Sequence, residues 1–427
     1  MKAVFKAVAL IVAALLLGPA VVRADVLKIV VHDTIHPISD EFIARALDQA
    51  AREHAEAVLI ELSTPGGLVD STRSIIQKIL ASPVPVIVYV APSGARAASA
   101  GFFILESADV AAMAPGTNTG AAHPVVFGGE KMDDVMKAKM ENDAAAFMRS
   151  FVSKRRRNVE LAESAVRQSK SFTDQEALKE HLIDVIAADE TDLLKQLDGR
   201  TITRFNGSTT VLHLANQRVQ LLDMSLKQRI LDFIMDPNVA FILFAIGMLA
   251  LWVEFNHPGA ILPGVVGFIF VLLAIFAFNI LPTRYAALIL IVAAFVMFVL
   301  DAKFATHGVL TVGGIALMIL GALLLVDAPI PEMRVRLVTA LVVSVPIGLI
   351  TVFLVGLVIK ARRSKVVTGQ QGLIGEVGVA QSALQPEGKV FVHGELWDAV
   401  SSTNVAPGAR VLVKRIDGLR LEVEPVK

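Results

Sequence analysis

Short runs of β-branched residues alternate with amphipathic segments over the first 200 residues of the chain. Three runs have the length and composition of buried strands, at residues 26–31, 57–62 and 84–90. Between them, apolar positions recur at helical spacing after Ser39-Asp40 and again over residues 71–80. Strands that alternate with helices are typical of βαβ units, so the pattern predicts an α/β domain around a buried sheet.

The next segment, residues 131–198, has a mostly helical pattern. Within it, Thr173 and Glu176 have the spacing of a capping box, which marks the start of a helix. The basic run at residues 154–157 is typical of a solvated helix end. Residues 219–233 form a further amphipathic segment directly before a long apolar region, and this position favours the membrane interface.

The middle of the chain is almost continuously apolar. Five apolar stretches follow one another, at residues 239–253, 260–281, 285–300, 309–326 and 337–359. Several are close to the length that spans a hydrocarbon core, and 54% hydrophobic residues overall is too apolar for an ordinary soluble protein. The pattern predicts a membrane region over residues 221–365 with about five transmembrane helices.

The N-terminal segment and the residues that follow the last apolar stretch predict the membrane topology. Residues 1–24 combine an early positive charge, a short apolar run and a small residue before Asp25, as in a secretory signal peptide. An uncleaved anchor is the alternative. The basic cluster at residues 360–365 is typical of the cytoplasmic side. With five spans, this predicts an inner-membrane protein with an extracytoplasmic N-terminal domain and a cytoplasmic C-terminal domain.

The last sixty residues return to strand alternation, punctuated by glycines and Pro407. This pattern predicts a small closed β-barrel of the OB type over residues 366–427. The segment has neither the stacked aromatics nor the basic groove of a single-strand binder, which favours a docking or assembly module. Because 40 Lys and Arg balance 40 Asp and Glu, we expect no nucleic-acid partner.

Composition also restricts the chemistry. The chain has no cysteine, which excludes thiol catalysis and thiolate metal sites. Its nine histidines are scattered, and none pairs with a nearby carboxylate in a metal-binding motif, so we expect no metal and no cofactor. Intramembrane carboxylates are scarce, with Glu254 and Asp301 at segment ends, which weakens a transporter interpretation.

Two motifs in the first domain have the residue types of a hydrolase site. Ser63-Thr-Pro-Gly66-Gly67 follows the second strand, and paired glycines let backbone N–H groups approach a substrate as an oxyanion hole requires. By itself this sequence is a turn. Ser99, in Ala-Arg-Ala-Ala-Ser99-Ala-Gly, is predicted at a helix N-terminus among small residues, which favours a developing anion. Without context, such a serine more often serves packing or capping.

A third feature could supply a general base. Lys139, in Lys-Met-Glu-Asn142-Asp143, lies in an amphipathic helical segment where a lysine is typically solvated. It can act as a base only if burial lowers its pKa near a serine. His123 is a rival base, although a lone histidine beside Pro124 is more typical of a loop.

These motifs, in this order, resemble the NfeD family of membrane-bound, ClpP-class serine proteases. The likeness includes Thr119-Gly120-Ala-Ala, the multi-span middle and the terminal Gly-Glu-Leu-Trp397-Asp-Ala. The resemblance implies that Ser99 is the nucleophile, Lys139 the general base, and Gly66 with Gly67 the source of oxyanion-hole amides. Residues 25–220 would then be the protease domain.

The resemblance also implies a ClpP/crotonase-like fold, self-association into a homo-oligomer, and cleavage within apolar segments of stomatin-like membrane proteins. Membrane lipid would surround the middle region. A different hypothesis makes the chain a membrane scaffold for a stomatin-like partner, with little or conditional protease activity. Labelling of Ser99 by a fluorophosphonate would distinguish the two.

Overall fold

The computed structural model describes residues 26–125, 133–215, 217–256, 259, 261–304, 306, 308–328, 331–363 and 370–426. The predicted signal peptide lies outside these residues. The chain divides into two compact units, one ending at Met297 and including Val312–Ile347, the other comprising Phe298–Thr311 and Gly348–Lys427. Each is described by itself.

The first unit contains a six-stranded parallel sheet with the order β11-β1-β2-β3-β5-β8. Its strands are β1 (Val26–Val31), β2 (Ala57–Leu62), β3 (Val86–Val90), β5 (Val110–Met113), β8 (Val185–Ile186) and β11 (Val219–Leu221). The central strands are buried on both faces, as expected for a parallel sheet covered by helices. The α/β prediction is confirmed, although the third strand begins two residues later than its apolar run.

Short strands form two further pieces of the same unit. β4 (Arg96–Ala98), β6 (Asn118–Gly120) and β7 (Ser171–Thr173) form a small three-stranded sheet. β9 (Thr201–Thr203) pairs with β10 (Thr209–Val211) in an antiparallel hairpin. The small sheet matters for function because β4 ends directly before Ser99.

Eight helices of this unit precede the long apolar helices, within the described residues. They are α1 (Pro37–Glu53), α2 (Val69–Ala81), α3 (Ala100–Ser107), α4 (Asp134–Val152), α5 (Val159–Arg167), α6 (Asp174–Lys179), α7 (Glu190–Leu197) and α8 (Leu226–Met235). The capping box of Thr173 and Glu176 is present at the start of α6. By contrast, α1 begins before Ser39, because His36 is its N-cap and accepts a hydrogen bond from Ile38 N.

The expectation of a solvated helix end at residues 154–157 is wrong for two of the four residues. The side chains of Arg155 and Arg157 are each 3% exposed and form ion pairs with Asp109 (2.6 Å) and Asp184 (2.8 Å). Their guanidinium groups also donate to backbone carbonyls at the C-terminal end of α3. A cation there satisfies carbonyls that have no intrahelical partner and complements the negative end of the helix.

The amphipathic segment predicted at residues 219–233 is divided between β11 and α8. Within α8, Leu226, Ile230 and Phe233 are exposed along one stripe, whereas Gln228 on the opposite face is 1% exposed. A helix of this kind suits a membrane interface, where the apolar stripe faces lipid.

The five predicted apolar segments all form helices. These are α9 (Pro237–Asn256), α10 (Leu262–Ile280), α11 (Tyr285–Phe304), α12 (Val309–Leu325) and α13 (Leu337–Arg363). Among the described residues, three segments are long and apolar enough to cross a membrane, namely Pro237–Phe255, Leu262–Ile280 and Pro331–Phe353. The apolar parts of α11 and α12 are shorter, so the structure supports three of the five predicted spans by length.

The C-terminal part of the second unit begins with the short helix α14 (Gln370–Leu373) and continues as a closed five-stranded barrel. Its strands are β12 (Val377–Ala380), β13 (Glu387–Val392), β14 (Glu395–Ser401), β15 (Arg410–Asp417) and β16 (Arg420–Pro425). The barrel order is β12-β13-β14-β16-β15, and apolar side chains that alternate along the strands fill its interior. This confirms the predicted OB-like barrel.

Candidate active site

The turn after β2, residues 63–68, is called the glycine turn here. Its backbone is held from two sides. Ile35 N donates to Gly66 O (2.8 Å), and Leu68 N donates to Ile35 O (2.8 Å). On the other side, Thr64 N donates to Arg96 O (2.7 Å) on strand β4. The glycine turn therefore joins the strand that leads to Ser99 with the segment that leads to α1.

The two glycines of this turn have different local roles. Gly66 has a φ of +131°, which side-chain-bearing residues rarely adopt, and its N–H donates to Thr64 Oγ1 at 3.1 Å. A Cβ on Gly67 would lie 2.1 Å from Ile35 O, so no larger residue fits. The hydrogen bonds that hold the turn do not use the Gly67 N–H. Of the two predicted oxyanion donors, Gly67 is the one whose N–H remains available among the described residues.

Ser99 links β4 to α3 in a conformation that is unusual for a serine. Its φ of 53° and ψ of −112° fall outside the favoured regions, and such strain persists only where surrounding contacts impose it. Here Ser99 N donates to Gly120 O (2.9 Å), and Ser99 O accepts from Phe102 N (3.1 Å). All residues of α3 are buried. The serine is thus fixed at the N-terminus of a rigid, buried helix, as the sequence predicts.

A cavity of about 110 Å³ opens beside Ser99. Gly67 and Ala100 both lie on its wall, and Ala100 is the first residue of α3, whose N–H has no acceptor within the helix. Two peptide N–H groups on one wall with a serine are the parts of an oxyanion hole and a nucleophile. The remaining walls are mostly apolar and include Phe103 and Phe147, whose ring centroids lie 6.3 Å apart.

One ion pair borders this cavity. Arg73 on α2 pairs with Asp143 on α4, and its guanidinium carbon lies 4.4 Å from the ring centroid of Phe147. One residue earlier, Asn142 Oδ1 accepts from Arg167 of α5 at 2.8 Å. The predicted Lys-x-x-Asn-Asp motif therefore ends in two residues that fasten α4 to two other helices.

Lys139 lies three residues before this fastening point, in a different environment. Every residue from Asp133 to Lys139 is exposed, whereas Met140 borders the cavity. Within the described residues, no hydrogen bond joins Lys139 to Ser99. The structure places the lysine on the helix that forms one wall of the cavity, and the Ser99–Lys139 dyad stays a prediction.

His123, the rival base, makes a bond of its own. Its Nδ1 lies 2.9 Å from Val166 O, and a carbonyl can only accept, so Nδ1 carries the proton. The neighbouring Ala122 and Pro124 line the cavity. The imidazole therefore fastens the loop before α4 to the end of α5.

The helix that follows Ser99 contains a buried carboxyl group. Glu106 is fully buried near the end of α3, and both of its carboxyl oxygens lack a hydrogen-bond partner among the described residues. Burial raises the pKa of Glu106 to about 8, despite the opposing effect of Arg157. The group is therefore mostly protonated at neutral pH. In the part of the chain that the structure describes, no group of three or more His, Cys, Asp or Glu residues is placed to hold a metal ion.

The side chains that line the cavity walls were not predicted from the sequence. Phe103 follows Ser99 by four positions, Asp143 follows Lys139 by four, and Phe147 follows Asp143 by four. Residues four apart share a helix face, so this spacing was a usable signal once the motif residues were placed on helices.

These features define an α/β domain with a candidate serine site, a membrane region and an OB-like barrel. Three family models match the chain in order: the NfeD1b N-terminal domain over residues 25–213, the NfeD integral membrane domain over 238–358, and the NfeD-like C-terminal, partner-binding domain over 370–425. The chain belongs to the NfeD family of ClpP-like membrane proteases.

Three relatives illustrate the likeness. The membrane-bound protease PH1510 of Pyrococcus horikoshii is 37% identical over 391 residues, which cover 89% of this chain and 88% of the relative. Membrane protein NfeD1b of Bacillus subtilis is 27% identical over 402 residues, covering 90% and 89%. The solved 1510-N membrane protease specific for a stomatin homolog, from P. horikoshii, is 34% identical and covers 49% of this chain and 98% of its own, with a TM-score of 0.44.

Proposed function

We propose that this chain is a membrane-bound serine endopeptidase in which Ser99 is the nucleophile and Lys139 the general base. One observation carries the proposal: Ser99 is held in a strained conformation at the start of α3, beside a cavity that also exposes Gly67 and Ala100. Strain at a serine that faces a cavity is typical of a catalytic residue. The relationship to a membrane-bound protease supports the same activity.

In the proposed reaction, Ser99 Oγ attacks the scissile carbonyl carbon and its proton passes to neutral Lys139 Nζ. The oxyanion accepts hydrogen bonds from the glycine turn at Gly66-Gly67, chiefly from Gly67 N–H, and from Ala100 N–H. Lys139 then donates the proton to the leaving amine as the C–N bond breaks. Water, deprotonated by the same lysine, then attacks the acyl carbon; the bond from carbon to Ser99 Oγ breaks, Lys139 returns the proton to Oγ, and the second product leaves as a carboxylic acid.

We propose apolar segments of stomatin-like membrane proteins as substrates. The cavity is lined mostly by apolar side chains, which suits an apolar residue beside the cleaved bond. One solved relative is a protease specific for a stomatin homolog. The proposal places the protease domain, residues 25–220, outside the inner membrane as a homo-oligomer, and the barrel, residues 366–427, in the cytoplasm as the partner-binding part.

Active-site labelling tests the dyad in the full chain in detergent. A fluorophosphonate should label wild-type protein and not Ser99→Ala, and the same substitution should abolish hydrolysis of an apolar peptide. Lys139→Ala should slow both reactions by at least about a hundredfold, because a neutral hydroxyl is a poor nucleophile without a positioned base. The double variant should be about as slow as the worse single variant.

Lys137→Ala is the matched control, since Lys137 is also exposed and lies on the same helix. It should keep wild-type rates. Folded Ser99→Ala protein that still cleaves the peptide at the wild-type rate would exclude this mechanism, and equal losses in the two lysine variants would exclude Lys139 as the specific base.

A scaffold function is the second candidate. It is favoured by the exposure of Lys139, which makes no hydrogen bond to Ser99 among the described residues, and by the match of the barrel to a partner-binding domain. A scaffold should bind a stomatin-like protein equally well as wild type and as Ser99→Ala, and neither form should react with the fluorophosphonate.

A further inference from the structure

The juxtamembrane helix α8 contacts the protease domain through a partly buried polar pair. His36 Nε2 lies 3.1 Å from Asp232 Oδ1, and the side chains are 8% and 27% exposed. His36 Nδ1 accepts from Ile38 N (3.2 Å), so Nε2 carries the proton that Asp232 accepts. Hydrogen bonds to a charged group with little solvent exposure are among the stronger ones in proteins.

The same histidine is the next residue after Ile35, which holds the glycine turn. Ile35 both donates to Gly66 O and accepts from Leu68 N, and its backbone lies against Gly67 too closely for any side chain there. Because His36 also caps α1, its position fixes where Ile35 enters the turn. A displacement of His36 therefore moves Ile35, whose backbone N–H and carbonyl hold the glycine turn. That turn carries Gly67, the proposed oxyanion donor.

The opposite face of α8 is suited to lipid. Leu226 (74% exposed), Ile230 (50%) and Phe233 (66%) form its apolar stripe, and Asp236 connects the helix directly to the first candidate span, α9. α8 also packs against α9 and α10. One helix thus has a membrane-facing stripe and, on its other side, the carboxylate that holds His36.

A second contact reaches the other side of the glycine turn. Arg96 accepts from Thr64 N through its carbonyl, and its side chain pairs with Glu332 at 2.7 Å, at the start of the third candidate span. Both side chains are close to half exposed, so this pair is worth less than the more buried His36–Asp232 pair and is weakened by salt.

We propose that Asp232 is a positioning residue through which the juxtamembrane helix holds the oxyanion turn of the protease in its active geometry. The membrane region would then be part of the catalytic scaffold as well as an anchor, and hydrolysis would respond to how α8 lies in the interface. This inference rests on the proposed protease function for its kinetic consequence, but its structural consequence can be measured independently.

The test compares full-length variants in lipid nanodiscs. Asp232→Ala should lower kcat on an apolar peptide about tenfold with KM nearly unchanged, because the turn acts on the transition state and not on the bound substrate. Asp232→Asn, which can still accept from His36 Nε2, should stay within about twofold of wild type. His36→Asn preserves an N-cap but loses the pair, so it should behave like Asp232→Ala.

Combining His36→Asn with Asp232→Ala should add no further loss if the two residues act through one contact. Lys227→Gln is the matched control: it removes an exposed 4.0 Å pair with Glu41 between the same two helices, without touching Ile35 or His36. It should leave kcat unchanged. Glu332→Gln should lower kcat less than about twofold, and only at low salt.

Hydrogen exchange supplies the readout that needs no activity. Amides of residues 63–68 should exchange about tenfold faster in Asp232→Ala than in wild type or Lys227→Gln. If exchange and kcat of Asp232→Ala both match Lys227→Gln, the inference is wrong. If wild type neither hydrolyses the peptide nor reacts with a fluorophosphonate, the proposed function fails, and the exchange rates alone decide whether Asp232 holds the turn.

Discussion

The helix that begins directly after Ser99 is buried and fastened at both ends, whereas the first residues of the helix that carries Lys139 are exposed. All of Ala100–Ser107 is buried, and the glycine turn, Gly120 and two arginines fasten its two ends. Residues 133–139 are all exposed, and α4 is first fastened at Asn142 and Asp143. The fold alone therefore positions Ser99, the proposed nucleophile, whereas the position of Lys139, the proposed base, depends on what covers the first turns of α4.

The largest effect is expected at Arg157, whose side chain donates hydrogen bonds to carbonyls at the C-terminal end of α3. Arg157→Met should lower the free energy of unfolding of the N-terminal domain by about 3–5 kcal/mol, because it leaves Asp184 and the carbonyls of α3 without their buried partner. The temperature at which the domain becomes protease-sensitive measures this. Arg156→Met, one residue away and exposed, should change stability by less than ~0.5 kcal/mol. Equal shifts for the two variants would contradict a support role for Arg157.

The next largest effect is expected at Gly67, which lies close to the backbone of Ile35 in the glycine turn. Gly67→Ala should reduce kcat by about a hundredfold or more, because the new methyl group would meet Ile35 O and displace the N–H proposed to bind the oxyanion. Steady-state kinetics on the folded variant measure it. Gly199→Ala is the control: a Cβ there meets nothing within 4 Å, and although the φ of +71° makes alanine cost some stability, kcat of the folded variant should not change. A Gly67→Ala enzyme with wild-type kcat would remove the turn from the mechanism.

The smallest expected effect is a pH dependence of stability that comes from Glu106, the buried carboxyl of α3. Below about pH 4.5, Glu106 is protonated in both folded and unfolded states, and above that the unfolded state ionises first because burial raises the folded pKa to about 8. The contribution of Glu106 to stability is therefore full below pH 4.5 and is lost as pH rises towards 8. Relative to Glu106→Gln, wild type should lose at least ~1.4 kcal/mol between pH 5 and pH 8. Denaturant unfolding at each pH gives the free energy of unfolding of both proteins. If the difference between wild type and Glu106→Gln does not change with pH, the carboxyl is solvated and this prediction is wrong.

Much of the scaffold followed from local patterns. Strands β1 and β2, the capping box at Thr173, the apolar helices and the barrel are all encoded by periodicity and turn residues close in sequence. Ser99 at a helix N-terminus and the glycine turn at a strand end were predictable for the same reason. Each depends on neighbours within a few positions of the chain.

The remainder depends on contacts between distant residues. Arg157 pairs with Asp184, which lies 27 positions later in the sequence, and Arg155 pairs with Asp109, which lies 46 positions earlier. The burial of these side chains therefore cannot be inferred from the basic run alone. His36 lies 196 positions before Asp232 in the sequence, and nothing local marks it as more than a residue before a proline. The exposure of Lys139 likewise depends on which elements pack against α4.

The distance between Ser99 Oγ and Lys139 Nζ tests the dyad most directly. It should be measured in an experimental structure of the full chain with an apolar peptide boronate bound to Ser99. The proposed mechanism predicts that the cavity is filled, the first turns of α4 are covered, and Nζ lies within about 3.2 Å of Oγ. A bound boronate with Lys139 still in solvent, more than about 6 Å from Ser99, would contradict the dyad and require another base.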